Sequence, residues 1–377
     1  MIRPRNQSFF PSFKTKTLLP WLQERTFFYR SRNMKSEVTS QVLSRLLDSR
    51  RYDSRLRPNY ADGPVLVKVG FWILSIEKID VANMDYTIDI FLRQEWIDKR
   101  LNHGLNQSIT LTRRVMKKVW VPDSYFVNAK TGSMHRVTTP NMMLLLGPSG
   151  VVKYNIRATI KAACSIDLRM FPMDSQVCPL ILESYGYNNK HIRYEWEVSG
   201  TDGQRFVPSG IRLMPNYMLT NVNLSLTTSS YVVGNYSGVR ADFTFKRSYS
   251  YFLSHMYGTS SVIVVISWMG FVVPVEQTAA RIALGITSLL TEVTILNMMN
   301  NSMPKVSYVK SSDKYLIGCF VFVFLTLIEY CALLLLKAKQ KQRNVQALDK
   351  TLKQVTLVLH LASIGCHFTS RTLSCLR

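Results

Sequence analysis

Between Ala280 and Asn301, the residues Ala283, Thr287, Leu290, Thr294, Asn297 and Asn301 recur at steps of four, three, four, three and four, with Ala280 heading the row. That spacing lays them along one face of a helix. The face is small or polar except for Leu290 near its middle. If several copies ring a water-filled axis, the threonines hydrate the path and a ring of leucines gates it by dewetting. A polar face turned inward in a monomeric bundle gives the same pattern, so the stripe alone leaves both open. The charges at its inner end bear on ion type. Cation paths place carboxylates there, whereas this chain has Ala279, Ala280 and Arg281, which favours anions. Glu276 lies a turn further out. Glu292 falls about 200° around the wheel from Leu290 and so faces away from the axis. An acidic residue at membrane depth is costly and calls for a partner.

A second chemical feature is the pair Cys164 and Cys178, with thirteen residues between them. One close pair in a strand-rich region points to a single disulfide and an oxidising, extracellular compartment. Closing a loop of this size stabilises by about 3 kcal/mol in the chain-entropy picture. Sequons at Asn106, Asn223 and Asn235 agree with that compartment. Cys319 and Cys331 lie in an apolar run, and Cys366 and Cys375 in the tail. No H-E-x-x-H, P-loop or nucleophile-elbow pattern occurs and the histidines are scattered, so no enzyme, metal site or cofactor is expected.

The elements that must position these residues are legible as periods. From Asp85 to Trp96 the even residues Tyr86, Ile88, Ile90, Leu92 and Trp96 are apolar, Gln94 excepted, and most odd ones are polar. This is a half-buried strand. Val151–Cys164 and Arg240–Lys246 repeat the alternation, and Asp62-Gly63-Pro64 and Gly147-Pro148-Ser149-Gly150 mark turns. Many short strands between turns imply a sandwich or barrel over 61–248. Three membrane-length segments follow, at about 251–273, 280–301 and 315–336. Lys337, Lys339, Lys341 and Arg343 make the far end of the third cytoplasmic, which puts the strand domain outside the cell. The net charge of +23 owes much to the first sixty residues. These read as a basic, poorly ordered leader with no nucleic-acid-binding signature. They contain no clean secretory core. In the tail, 338–377, the apolar stretch Val355–Ile364 is too short to span, so a fourth membrane helix is not visible and the tail reads as truncated.

The disulfide loop with its internal Phe171-Pro172-Met173-Asp174 resembles the signature loop of the Cys-loop (pentameric) ligand-gated ion channels. Trp120-Val121-Pro122-Asp123-Ser124-Tyr125-Phe126 and Glu183-Ser184-Tyr185-Gly186-Tyr187 resemble the family's first two binding loops. Arg281-Ile282-Ala283-Leu284-Gly285-Ile286-Thr287 and Met303-Pro304-Lys305-Val306-Ser307-Tyr308 look like the pore helix and following linker of GABA- and glycine-gated chloride channels. The resemblance covers about Val65 to Leu336.

It implies a pentamer of homologous subunits, homomeric or heteromeric, with a small amino-acid transmitter bound between extracellular domains. Tyr125, Tyr185, Tyr231 and Tyr236 would form an aromatic box for an ammonium, helped by Glu183 and Ser184. Phe91 and Arg93 would form the neighbour's face, the arginine gripping a carboxylate. Ala280, Ala283, Thr287, Leu290, Thr294 and Asn297 would line the pore. Asp174, Arg247 and Lys305 would couple the two domains through opposite charges. Several positions depart from the family's patterns: Val233, Leu145, Asn155 and Leu74 in the binding loops, Ala279 at the inner mouth, and no second disulfide between Tyr231 and Arg240. The expected function is a transmitter-gated chloride channel subunit at the plasma membrane, with chloride as the permeant ion, a GABA-like agonist, a postsynaptic setting and no nucleic-acid partner. Three alternatives stand beside it: a truncated, non-conducting subunit that sequesters partners, a glycine-gated channel, and a proton-gated one.

Overall fold

The structure is a computed structural model that describes residues 37–197 and 213–338. The expected leader start, the tail from 339 onward and the apolar stretch Val355–Ile364 lie outside the described residues. The chain divides into two compact units. Among the described residues, the smaller holds 37–66, 95–122 and 143–154, and the larger holds the rest.

Eleven strands run in chain order: β1 (Val65–Asp80), β2 (Asp85–Ile97), β3 (Ile109–Leu111), β4 (Ser124–Phe126), β5 (Ala129–Met134), β6 (Met142–Leu146), β7 (Val151–Ala163), β8 (Ser175–Ser184), β9 (Ile192–Trp196), β10 (Tyr217–Tyr231) and β11 (Gly234–Arg247). In the larger unit one sheet has the order β7-β2-β1-β9, with β5 against β7, and a second has the order β10-β11-β8-β4. The period-two faces explain why the sheets pack into a sandwich. Tyr86, Ile88 and Ile90 of β2 and Phe243 and Phe245 of β11 are all buried. Tyr86 meets Phe243 edge-on with ring centroids 6.3 Å apart. The Tyr86 hydroxyl donates to the Pro179 carbonyl at 2.8 Å, so its polar end is satisfied inside the core.

The smaller unit pairs β3 with β6, Ile109 opposite Leu146. Residues 37–60, read from the sequence as part of a loose leader, hold a helix α1 at 37–46 and two buried anchors. The Tyr52 hydroxyl donates to Asp98 at 3.0 Å and accepts from the Trp120 backbone N–H at 3.0 Å. Arg57 is buried and spends its guanidinium on the carbonyls of Pro58, Asn59, Tyr60 and Gly63. Charge density hid this segment, because nothing in the local period marks an arginine that caps carbonyls. A one-turn helix, α2, spans Arg113–Met116. The turn before β7 requires Gly150: its φ is +83°, and a Cβ there would lie 2.4 Å from the Asp98 carbonyl oxygen.

After β11 come α3 (Ser250–Phe252), a π-helical turn (Leu253–Gly258) and α4 (Thr259–Met269), then α5 (Thr278–Asn301) and α6 (Ser311–Ala338). The stretches Ser250–Met269, Thr278–Asn301 and Ser311–Lys337 are each long and apolar enough to cross a membrane. They pack around Tyr257, Val264, Tyr315, Leu316, Cys319 and Val323. Val262 and Val265 of α4 and Val321, Phe324 and Ile328 of α6 face outward, as lipid-facing positions do. The protein is a β-sandwich followed by a transmembrane helical bundle.

Candidate functional site

Strand register assembles the first part of the site. β4 and β11 flank β8, so Tyr125, Glu183 and Gly238 lie in one row across the sheet. Glu183 is only 1% exposed. One carboxylate oxygen accepts from the Ser229 hydroxyl and the other from the Tyr231 hydroxyl at 3.3 Å. Ser229 and Tyr231 are on β10, beyond β11, and Gly238 is what lets the carboxylate reach them. A Cβ on Gly238 would lie 2.6 Å from the Glu183 Cγ and 2.8 Å from the Leu182 carbonyl oxygen. The tyrosines form two edge-on pairs, Tyr125 with Tyr185 at 5.4 Å and Tyr231 with Tyr236 at 5.5 Å, and Tyr125 and Tyr231 adjoin the carboxylate. Tyr185 is 77% exposed, so the group is open on one side. Burial, with Tyr231 and Glu183 beside it, raises the Tyr125 phenol above its ordinary pKa.

Ser184, read with Glu183 as an amine contact, is buried, and its hydroxyl donates to Asp123 at 2.5 Å. Asp123 also accepts from the Gly186 backbone N–H at 2.6 Å, and Ser184 from that of Tyr187 at 3.0 Å. The Ser184 side chain therefore shapes the loop that presents Tyr185. Sequence reasoning passed over Ser229, Gly238 and the role of Asp123. The hairpin register 229↔236 was the available signal for Ser229.

Phe91 and Arg93 are on β2, in the other sheet. Phe91 is half-buried; Arg93 is exposed, with its guanidinium 5.8 Å above the centre of the Trp72 ring. Ion pairs Asp89–Arg157 at 2.6 Å and Asp85–Lys161 at 3.4 Å tie the polar face of β2 to β7. Asn155 of β7 is half-buried, and its carbonyl oxygen has no partner among the described residues. No hydrogen bond, ion pair or ring contact among the described residues joins Phe91 or Arg93 to the tyrosine group. Within one chain these are two half-sites on two sheets.

The Cys164–Cys178 disulfide is formed, with the Cα atoms 5.0 Å apart. Its loop holds Asp174 against Arg247 in a buried two-pronged ion pair, 2.6 and 2.9 Å. The guanidinium is sandwiched between the Phe171 and Tyr217 rings, at 4.9 and 4.6 Å from their centres. Lys305, the other cation expected to meet Asp174, is exposed and forms no ion pair among the described residues. Both Asp174 oxygens are already taken by Arg247, and Gln176 donates to one of them at 2.5 Å. The loop reaches the α5–α6 linker elsewhere. The Leu168 backbone N–H donates to the Tyr308 hydroxyl at 2.9 Å, and the Ser311 N–H to the Arg169 carbonyl at 3.0 Å.

On α5, Ala280, Ala283, Thr287, Leu290, Thr294, Asn297 and Asn301 are all exposed in the single chain, Leu290 by 63%. The opposite face, Arg281, Gly285, Ser288 and Glu292, is buried. Arg281 corrects one expectation. Its guanidinium turns back into the bundle, donating to the Val273 carbonyl at 2.7 Å and lying over the Tyr330 ring at 5.2 Å. The charge therefore sits behind the stripe. Glu292 is 1% exposed; one oxygen accepts from Ser260 at 3.2 Å, and the other has no partner among the described residues.

Residues 39–249 match the ligand-binding domain of the neurotransmitter-gated ion channels, and 257–363 match the transmembrane region of the same channels. The chain is 40% identical over 296 residues to the gamma-aminobutyric acid receptor subunit beta-4 of Gallus gallus, an alignment covering 78% of this chain and 59% of that protein. The chain thus spans about three-fifths of the length of this curated relative. The two family patterns follow one another in order, the first over the disulfide-tied sandwich and the second from the first membrane helix onward. On that ground the protein belongs to the neurotransmitter-gated ion-channel family and is a multi-pass plasma-membrane protein with its strand domain outside the cell.

Proposed function

We propose that this chain is one subunit of a pentameric, anion-selective channel opened by an amino acid with separated amine and carboxylate, GABA being the best fit. The observation that carries this reading is the buried Glu183 carboxylate beside Tyr125 and Tyr231, each edge-on to a further tyrosine. An ammonium entering from the open Tyr185 side gains cation–π attraction from the rings and a charge-assisted contact with the carboxylate. Arg93 and Phe91 would come from the neighbouring subunit, with Arg93 taking the ligand's carboxylate. The half-sites lie on different sheets of one chain, which is the arrangement a site between subunits needs.

Opening would be carried through the disulfide loop, its Asp174–Arg247 pair and the Tyr308 contact to the end of α5. In the pore, the exposed stripe presents threonine hydroxyls and one leucine per subunit, and its inner end carries Ala279 and Ala280, the nearest carboxylate, Glu276, lying a turn further out and paired with Lys337 at 3.3 Å. That polarity favours an anion. Lys305 remains a candidate at the linker surface, where it could meet a charge only in another state or subunit.

The test is expression in oocytes, alone and with homologous subunits, with currents recorded for GABA, glycine and acid pulses. A GABA-evoked chloride current supports the proposal. Surface expression without current in every combination would favour a non-conducting subunit.

A further inference from the structure

Within the smaller unit, α1 and the turn around α2 enclose an open cleft of about 920 Å³. That lies within the roughly 300–1,000 Å³ range of ligand sites. Its floor is apolar, with Leu43, Leu47, Tyr52 and Val115, and two polar chemistries stand around it. Ser40, Ser44, Ser49 and Ser54 line it with hydroxyls, and Lys117 and Lys118 stand at its other side. Further cations flank it: Arg113 and Arg114 on α2, and Arg45, Arg50 and Arg51 on α1 and the turn that follows. All seven cationic side chains are exposed, and none forms an ion pair or hydrogen bond among the described residues. Elsewhere in the unit Arg55 is matched with Asp53, Arg100 with Asp98 and Lys153 with Glu95, while Lys99 is a single exposed cation without an ion pair among the described residues. Asp48 is the one carboxylate in the cleft lining.

Unmatched like charges gathered on one surface repel each other and concentrate a positive field. Such a surface gains by releasing counterions to a polyanion. The strand domain is extracellular, which excludes nucleic acid as the ordinary partner. Between an acidic peptide and a sulfated sugar, charge density decides. A sulfated sugar carries more than one fixed anion per ring, which suits seven unmatched cations gathered on one surface better than a peptide's single carboxylate per residue.

We propose that this cleft binds a sulfated polysaccharide, with Lys117, Lys118, Arg113 and Arg114 taking sulfates and the α1 serines contacting the sugar rings. The site is separate from the agonist half-sites and independent of the agonist's identity.

The experiment uses the full-length receptor in nanodiscs of uncharged lipid, with immobilised heparin, desulfated heparin and polyglutamate as probes. Heparin should bind, with affinity falling steeply as salt rises, and desulfated heparin should bind at least about tenfold more weakly. Replacing Arg113, Arg114, Lys117 and Lys118 by Ser should weaken heparin by about tenfold or more. Arg50→Ser/Arg51→Ser should give a smaller loss. An unchanged melting temperature in each variant shows that it is folded. Three results would overturn the proposal: no heparin binding, polyglutamate binding as tightly as heparin, or undiminished binding by the fourfold variant, which would move the interaction to basic residues outside the cleft.

Discussion

Arg247, the last residue of β11, and Asp174, in the disulfide loop, hold each other through two hydrogen bonds while both are almost fully buried. Two aromatic rings close over the guanidinium, so the pair is kept from water at the point where the strand domain leads into the first membrane helix. Removing one member leaves the other charge buried and unmatched, which costs about 3–5 kcal/mol. Arg247→Ala and Asp174→Ala should therefore lower the melting temperature of the purified receptor sharply. Arg247→Lys should also lower it, because an ammonium cannot make the two-pronged contact or stack between rings. Lys305→Ala should stay within about 0.5 kcal/mol of wild type. A melting temperature insensitive to Arg247→Lys would contradict this account of the pair.

Gly238 and Glu183 are coupled by space. A methyl group on Gly238 drives into the Glu183 Cγ and the Leu182 carbonyl. Gly238→Ala should displace the carboxylate from Ser229 and Tyr231, and Glu183→Gln removes its charge. Each should raise the half-maximal agonist concentration by about tenfold or more, the scale of one lost charge-assisted hydrogen bond. Dose-response curves for the two variants and their double mutant provide the check. The double mutant should lose little beyond the worse single one, since both act on one carboxylate.

Alkaline stability follows from the buried phenols of both units. Burial raises the phenols of Tyr52, Tyr86, Tyr194 and Tyr217 above their usual 10.0. A phenol whose pKa is higher folded than unfolded keeps its proton more tightly in the folded state. The stability tied to it is fully present below about pH 10 and declines as pH rises past that value. Melting curves should be flat with respect to these groups from pH 7 to 9 and fall above 10. Tyr86→Phe should flatten that fall, at the cost of the Pro179 hydrogen bond at neutral pH.

Glu292 is a carboxylate in an apolar bundle with one hydrogen-bond partner among the described residues, Ser260. Replacing it by Met, unbranched and of similar length, should leave thermal stability unchanged or raise it, as for other half-satisfied buried charges. Ser260→Ala should lower it, since the carboxylate then loses its one hydrogen bond. Melting of the two variants decides the sign.

The sandwich, the three apolar helices and the outward face of α5 were legible because burial imposes periods of 2 and 3.6 on residues such as Ile88, Ile90 and Leu290. Glu183 and the tyrosines came from motif resemblance, since no period marks a carboxylate beside rings. Three features escaped because they depend on contacts between distant segments. Arg281 reads as a mouth charge until Tyr330 and Val273 are seen beside it. Lys305 and Arg247 both read as cations for Asp174 until Arg247 is seen to fill both oxygens. Residues 37–60 read as a leader until Tyr52 and Arg57 are seen buried. Gly238 carried no sequence signal, because its role is the absence of a side chain opposite Glu183.

The most direct test of the central claim is the reversal potential of the agonist-evoked current as external chloride is replaced by a large impermeant anion. An anion path lined by Thr287, Leu290 and Thr294, with no carboxylate at Ala279 and Ala280, predicts that the reversal potential shifts by about 59 mV per tenfold change in chloride. It should not move when sodium is replaced. A reversal potential that tracks sodium and ignores chloride would contradict the account.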